Sequence, residues 1–290
     1  MRKKGKDDLV LDIVVYTILI LLTIVCIYPV WYVIAASFAT GTELAKNPGF
    51  LLWPENFTTK AYGLVFVNPL ILSGLKNSFM ILLIGLPINI VMTVLCGYFL
   101  SCPGMMFKKV ITGLIMFTMF FSGGLIPGYL NIRELGLYNT IWALVLPGAL
   151  SVYNAVICKT AIEGVPDSLR ESAYLDGAHD FQVLFKIILP LIKPTLAVLL
   201  LYYGVGHWNS WFNASIYIKD NANLPVQNII RSIMLANDAL SGTATGDDYN
   251  NYAETIKYAA CVITTLPIMC VYPFLQKYFA KGTMIGAVKG

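Results

Sequence analysis

Charged side chains are scarce in this chain of 290 residues: Asp, Glu, Lys and Arg together make up 12%, where soluble domains carry about 25%. With 57% hydrophobic residues and a mean hydropathy of +0.69, a water-soluble fold would leave large apolar patches uncovered. The same abundance excludes an unstructured chain. The net charge of +4 is small and dispersed, so nucleic acid is not an expected partner. Histidine is nearly missing. His179 and His207 are the two present, and with no H-E-x-x-H or G-x-S-x-G phrase they make no hydrolytic set. The six cysteines lie in or beside apolar runs without a C-x-x-C pair. They are expected to be buried small hydrophobes, with neither metal nor disulfide framework. No G-x-x-x-x-G-K-[S/T] loop is present, so the chain has no nucleotide site of that kind. It reads as an integral membrane protein.

A bilayer core about 30 Å thick takes roughly 20 apolar residues in a helix. Six stretches reach that length, at about 13–36, 77–100, 110–130, 140–158, 194–216 and 258–276, which gives an all-α protein with six transmembrane helices. The first of them follows Arg2-Lys3-Lys4, but its 24 residues exceed the apolar core of a secretory signal. Orientation follows the Lys/Arg asymmetry. With the N-terminus cytoplasmic, thirteen of the 20 basic residues fall inside, while the acidic residues divide eight and eight. Both termini are therefore expected in the cytoplasm. The external segment 37–76, with Pro48, Pro54, Trp53 and Phe57, reads as an ordered cap. The external 217–257 contains a small-residue run at 241–248 that is expected to be mobile.

The cytoplasmic loop 159–193 carries the most information. After Gly164 and Pro166, Asp167 is placed to cap a short helix over 168–175, and Gly177 falls where a left-handed residue would end it. A second helix from about Asp180 places Phe181, Leu184, Phe185 and Ile188 at helical spacing and leads into the fifth span. Ser172, Ala173 and Ala178 are small enough to let the short helix seat in a partner's groove. Periodicity alone would permit a connector lying on the membrane surface.

The residue pattern points elsewhere. Glu171-Ser172-Ala173, three residues, Gly177, nine residues, then Ile187-Ile188-Leu189-Pro190 resembles the EAA signature of ABC-importer permeases, with Ser172 in place of the middle Ala. The likeness covers roughly residues 70–283, and length and span number are similar to the MalG-type permeases of carbohydrate importers. Phe121-Ser122-Gly123-Gly124-Leu125-Ile126-Pro127, Leu135-Gly136-Leu137-Tyr138-Asn139-Thr140 and the tail 282–290 look like the Lpl/Ytc-type branch, associated with complex polysaccharide fragments. The resemblance implies a type I importer permease fold in a bacterial inner (plasma) membrane. Residues 1–69 would be tail, first helix and external cap, residues 70–283 the permease domain, and 284–290 a cytoplasmic tail. It further implies that the loop is a coupling helix acting through Glu171, Ser172, Ala173, Asp176, Gly177, Ala178, Ile187, Leu189 and Pro190. The partners implied are a second homologous permease, two ATP-binding-cassette subunits that hold ATP and Mg, an extracytoplasmic solute-binding protein and a carbohydrate.

Candidates for the cargo path come from the residues themselves. Tyr203, His207, Trp208, Asn209 and Trp211 crowd the fifth span with polar and aromatic groups, and Asn154 in the fourth and Asn131 beside the third are further candidates. Such groups cost energy in lipid unless they line a path or bond other helices. Sugar recognition and an interfacial aromatic belt with helix–helix hydrogen bonds both fit. Amino acids, peptides or polyamines are alternative cargoes. An ion-coupled secondary transporter would need intramembrane carboxylates, and all six stretches lack Asp and Glu. The orientation has a direct test: in a background freed of native cysteines, intact cells should label a Cys placed at Ser241 and spare one at Lys281. The reverse pattern overturns the topology.

Overall fold

Long runs of Leu, Ile and Val leave the backbone one local way to satisfy its own hydrogen bonds in hydrocarbon, the helix. The computed structural model describes residues 6–46, 49–102, 104, 106–240, 254–271 and 273. Among them the regular structure is helical, without a strand. In chain order the main helices are α1 (Lys6–Ser37), α2 (Gly41–Lys46), α3 (Lys60–Val67), α4 (Pro69–Ser101), α5 (Lys108–Phe120), α6 (Leu125–Glu134), α7 (Trp142–Val145), α8 (Val152–Glu163), α9 (Asp167–Leu175), α10 (Asp180–Leu191), α11 (Lys193–Asn209), α12 (Phe212–Tyr217), α13 (Val226–Leu240) and α14 (Glu254–Val271).

The chain divides into two compact units, one joining the part up to Ile71 with Ile230–Leu266, the other joining Leu72–Ile229 with the part from Pro267. In the first unit, Leu19, Ile20, Leu21 and Leu22 of α1 are each more than half exposed, a surface suited to lipid. The end of α1 is different. Ala35 and Ala36 are buried with Ala39, Leu44 and Leu51, and Tyr32 meets the edge of Tyr258. Tyr28 donates to the Gly49 carbonyl at 3.0 Å and the Trp31 indole to that of Leu52 at 2.6 Å. Buried Glu43 accepts from the amides of Glu55 and Asn56. The segment after α1 is thus tied back onto it by side chains. The small-residue run 241–248 and the tail 282–290 lie outside the described residues.

In the second unit, α8 packs against both α5 and α11, and the long α4 contributes to the same core. Val94, Cys158, Ile162, Ala173, Leu184 and Leu199 share one core, so α4, α8, α9, α10 and α11 all contribute to it. Gly97 permits a close approach: a Cβ there would stand 2.9 Å from Cβ of Cys158 and 3.1 Å from the amide nitrogen of Lys159.

Three helices among the described residues are long and apolar enough to cross a membrane, α4, α14 and the Val10–Ser37 part of α1; two sharply bent pairs raise this to as many as five. The expected stretch 110–130 is broken at Ser122-Gly123-Gly124, where α5 and α6 diverge by 109°. The expected stretch 140–158 is not one helix either, because Pro147 and Gly148 separate α7 from α8. The stretch 194–216 stops at Asn209 and resumes as α12. Hydropathy averages over these breaks and so reads them as continuous. Substituting Gly97→Ala should cost about 1–3 kcal/mol through overpacking, lowering the thermal midpoint in detergent. Gly113→Ala, with nothing within 4 Å of its Cβ position, should leave it unchanged or raise it slightly, because Ala is the better helix former.

Candidate functional site

Polar side chains gather at two places in the second unit. The first is the broken segment between α7 and α8, whose peptide groups have no helical partners. Fully buried Asn89 of α4 donates through Nδ2 to the carbonyls of Gly148 at 2.8 Å and Ala149 at 3.0 Å. Its Oδ1 then faces Nε2 of His207 at 2.7 Å, which makes Nε2 the protonated nitrogen. One turn further along both helices, the Tyr203 hydroxyl accepts from the amide of Ser151 at 2.9 Å and pairs with Thr93 Oγ1 at 2.7 Å. Two layers of side chains from α4 and α11 therefore satisfy a break that would otherwise leave peptide groups bare.

Tyr203 and His207 are spent on these bonds. Asn154 behaves differently. It is 5% exposed, and among the described residues no hydrogen bond holds its side-chain amide. With Tyr153, Tyr202, Leu201 and Val205 it lines an open cleft of about 520 Å³. Both tyrosines are about half exposed. Tyr202 is absent from the sequence candidates, although the α11 spacing places it beside Val205 and away from Tyr203. Trp208 is buried edge-on against Phe79 at 5.4 Å and borders an apolar cavity of about 310 Å³ with Leu82, Leu86 and Pro267. Asn209 and Trp211 are exposed at the end of α11, and Trp211 meets Phe212. Asn131 is exposed on α6. Those three are not brought to the cleft.

The second place is the elbow of α9 and α10. Pro166 occupies the cap position, so Asp167 opens α9 rather than capping it. Arg170 is buried and donates through Nη2 to the Ile162 carbonyl at 2.6 Å, in the last turn of α8. A cation there suits the negative end of that helix. The end of α9 closes by two bonds, from the Ala178 amide to the Ala173 carbonyl at 2.9 Å and from the Gly177 amide to that of Tyr174 at 3.0 Å. This is the Schellman pattern, and it needs a left-handed residue at Gly177, whose φ is +80°. No atom stands within 4 Å of a Cβ placed there, so backbone strain alone selects glycine. The Tyr174 hydroxyl donates to Asp180 Oδ1 at 2.7 Å, and that bond holds the phenol above its ordinary pKa.

The outward face differs from the expected one. Ala173 and Ala178 turn into the chain's own core. Glu171, Ser172 and Asp176 face outward with Leu175, which is 88% exposed, and Phe181 and Phe185 continue an apolar ridge along α10. The phase of α9 explains this, since Ala173 follows buried Arg170 by three residues and shares its side. Ile187 and Leu189 are half-buried against the same core, while exposed Pro190 stands where α10 and α11 part by 83°.

A family model described as "Binding-protein-dependent transport system inner membrane component" matches residues 61–285, including both places. The chain belongs to this family. The permease is 38% identical over 281 residues to the polygalacturonan/rhamnogalacturonan transport system permease protein YtcP of Bacillus subtilis (strain 168), covering 96% of this chain and 98% of that one. To Protein LplC of the same organism it is 42% identical, covering 92% and 90%. A bacterial ABC transporter involved in the import of the acidic polysaccharide alginate provides a solved chain at a TM-score of 0.87 and 28% identity, with 96% of this chain and 100% of that chain covered. The family is one of transporter subunits, and the permease is a membrane protein. Replacing Asn89 by Leu should strand the Gly148 and Ala149 carbonyls at a cost of about 1–3 kcal/mol, read as a lower unfolding midpoint in detergent. An unchanged midpoint would remove Asn89 from the structural role.

Proposed function

We propose that the permease is one of two related membrane subunits of an ATP-driven importer of oligosaccharides from complex polysaccharides. Uronate-containing fragments are the first cargo to test. The observation that carries this reading is α9, a short helix closed by Gly177 whose outward face holds Glu171, Ser172 and Leu175. An apolar residue left 88% exposed beside carboxylates suits a protein groove better than water. The groove would belong to an ATP-binding-cassette subunit, with ATP and Mg bound there and hydrolysis performed there. The family's dependence on binding proteins and the acidic polysaccharides named for two relatives support an extracytoplasmic solute-binding partner and an anionic glycan. A second permease would complete the path.

Along that path, the Asn154 cleft offers mainly aromatic faces from Tyr153 and Tyr202 for a sugar's C–H surfaces, with the largely buried Asn154 amide at its edge. The Lys/Arg asymmetry that motivates cytoplasmic termini also puts α9 on the cytoplasmic side. In reconstituted membranes with all four subunits and binding protein, Leu175→Asp should release the ATPase subunits in pull-down. Tyr202→Ala and Asn154→Leu should keep them bound and cut trigalacturonate uptake about tenfold, the equivalent of roughly 1.4 kcal/mol. Retention of the ATPase subunits by Leu175→Asp, with wild-type uptake, would overturn the coupling assignment. Wild-type uptake in both cleft variants would remove the cleft from the path.

A further inference from the structure

One carboxylate in the permease joins three helices, and the Glu-Ser-Ala, Gly and Ile-x-Leu-Pro pattern includes neither it nor its distant partner. Asp180 opens α10. Its Oδ1 accepts from the Tyr174 hydroxyl at 2.7 Å, in the last turn of α9, and from the Tyr98 hydroxyl at 3.4 Å, in the last turn of α4. Tyr98 is 82 residues away in the chain and packs its ring against the core shared by Val94, Ala173 and Leu184. The same three residues border a polar cavity of about 730 Å³ with Ser101, Cys102 and Arg170. Away from this junction, α9 is joined to the membrane helices by apolar packing and by Arg170 on the end of α8.

Apolar contacts resist separation but slide with little penalty, because they are non-directional. Hydrogen bonds are directional; the one from Tyr174 to Asp180, at 2.7 Å, is a short charge-assisted bond, and the one from Tyr98, at 3.4 Å, is longer and weaker. A load applied to the outer face of α9 therefore has a directional route to α4 through Tyr174, Asp180 and Tyr98. We propose that Asp180, gripped by Tyr98 and Tyr174, is a positioning residue that transmits displacement of the α9–α10 elbow to the end of α4, so that ATP hydrolysis in the partner moves the span. This rests on the coupling role given to α9.

The test uses the assembled importer in proteoliposomes with substrate-loaded binding protein. Asp180→Asn, Tyr98→Phe and Tyr174→Phe each remove one charge or one hydroxyl at nearly constant volume. Subunit retention, ATP hydrolysis and uptake are measured on the same vesicles. The expected result is ATPase subunits retained, hydrolysis within about twofold of wild type, and uptake per ATP lowered at least threefold in Asp180→Asn and Tyr98→Phe. The double variant should be no worse than the more severe single one, as residues acting as one unit behave. A purely structural role would lower uptake and hydrolysis together and leave their ratio fixed. An unchanged ratio, or a lower ratio seen only where ATPase subunits are lost, overturns the proposal. The two readings separate: Leu175→Asp fails to release the ATPase subunits if the coupling assignment is wrong, whereas the clamp alone is wrong if Leu175→Asp releases them and the clamp variants keep their ratio.

Discussion

Every peptide group that leaves a helix inside hydrocarbon needs a partner, and water is not there to supply it. That constraint organises the second unit. The chain breaks between α7 and α8 at Leu146-Pro147-Gly148-Ala149, and the break is tolerable because Asn89, His207 and Tyr203 bond its peptide groups from two neighbouring helices. The polar residues of α11 that look from sequence like a lining for cargo are in part the partners of an irregular backbone. The irregular backbone beside the cleft is held by the side chains behind it. Asn154 stands just past that break, at the start of α8, where its backbone bonds to Ser151 and its largely buried side chain borders the cleft.

The elbow follows a different rule. Gly177 does not make room for anything, since nothing lies near its missing Cβ. It lets two amides turn back onto α9 and so fixes where Ala178 and α10 begin. Pro190 lacks the amide that would continue a regular ladder, and a π-helical segment at Val183–Ile188 precedes it. Pro194 then starts α11 within its first two positions, where proline fits. The spacing from Glu171 to Pro190 thus encodes two turns of fixed geometry and the length of helix between them.

Much of this was legible in the residues and some was not. The first long helix, α4 and the helix–Gly–helix elbow follow from apolar length and from one glycine after a cap signal, and the family follows from the spacing of the elbow. The breaks at Gly123-Gly124 and Pro147-Gly148 were visible as residues, yet a hydropathy window averages across them, so stretches that are bent or interrupted read as spans. Which face of α9 looks outward was missed because small residues suit both a tight core and a tight interface. Only the phase set by buried Arg170 separates the two. The Asn89–His207 pair joins positions 118 residues apart, and no local pattern in a single sequence announces such a pairing.

The same helix meets both places. Asn89 and Thr93 of α4 hold the break beside the cleft, and Tyr98 meets Asp180 at the elbow. Nine residues separate Asn89 from Tyr98, about 14 Å along a helix axis. A helix of this kind is stiff over that distance, because bending it means lengthening its own hydrogen bonds. A displacement of Tyr98 of the kind proposed would be felt at Asn89 as well, which three hydrogen bonds tie to Gly148, Ala149 and His207. Under the coupling proposed for Asp180, the peptide break, the cleft and the elbow would be parts of one lever, with α4 as its arm and the polar layers as the point at which motion would reach the cleft wall.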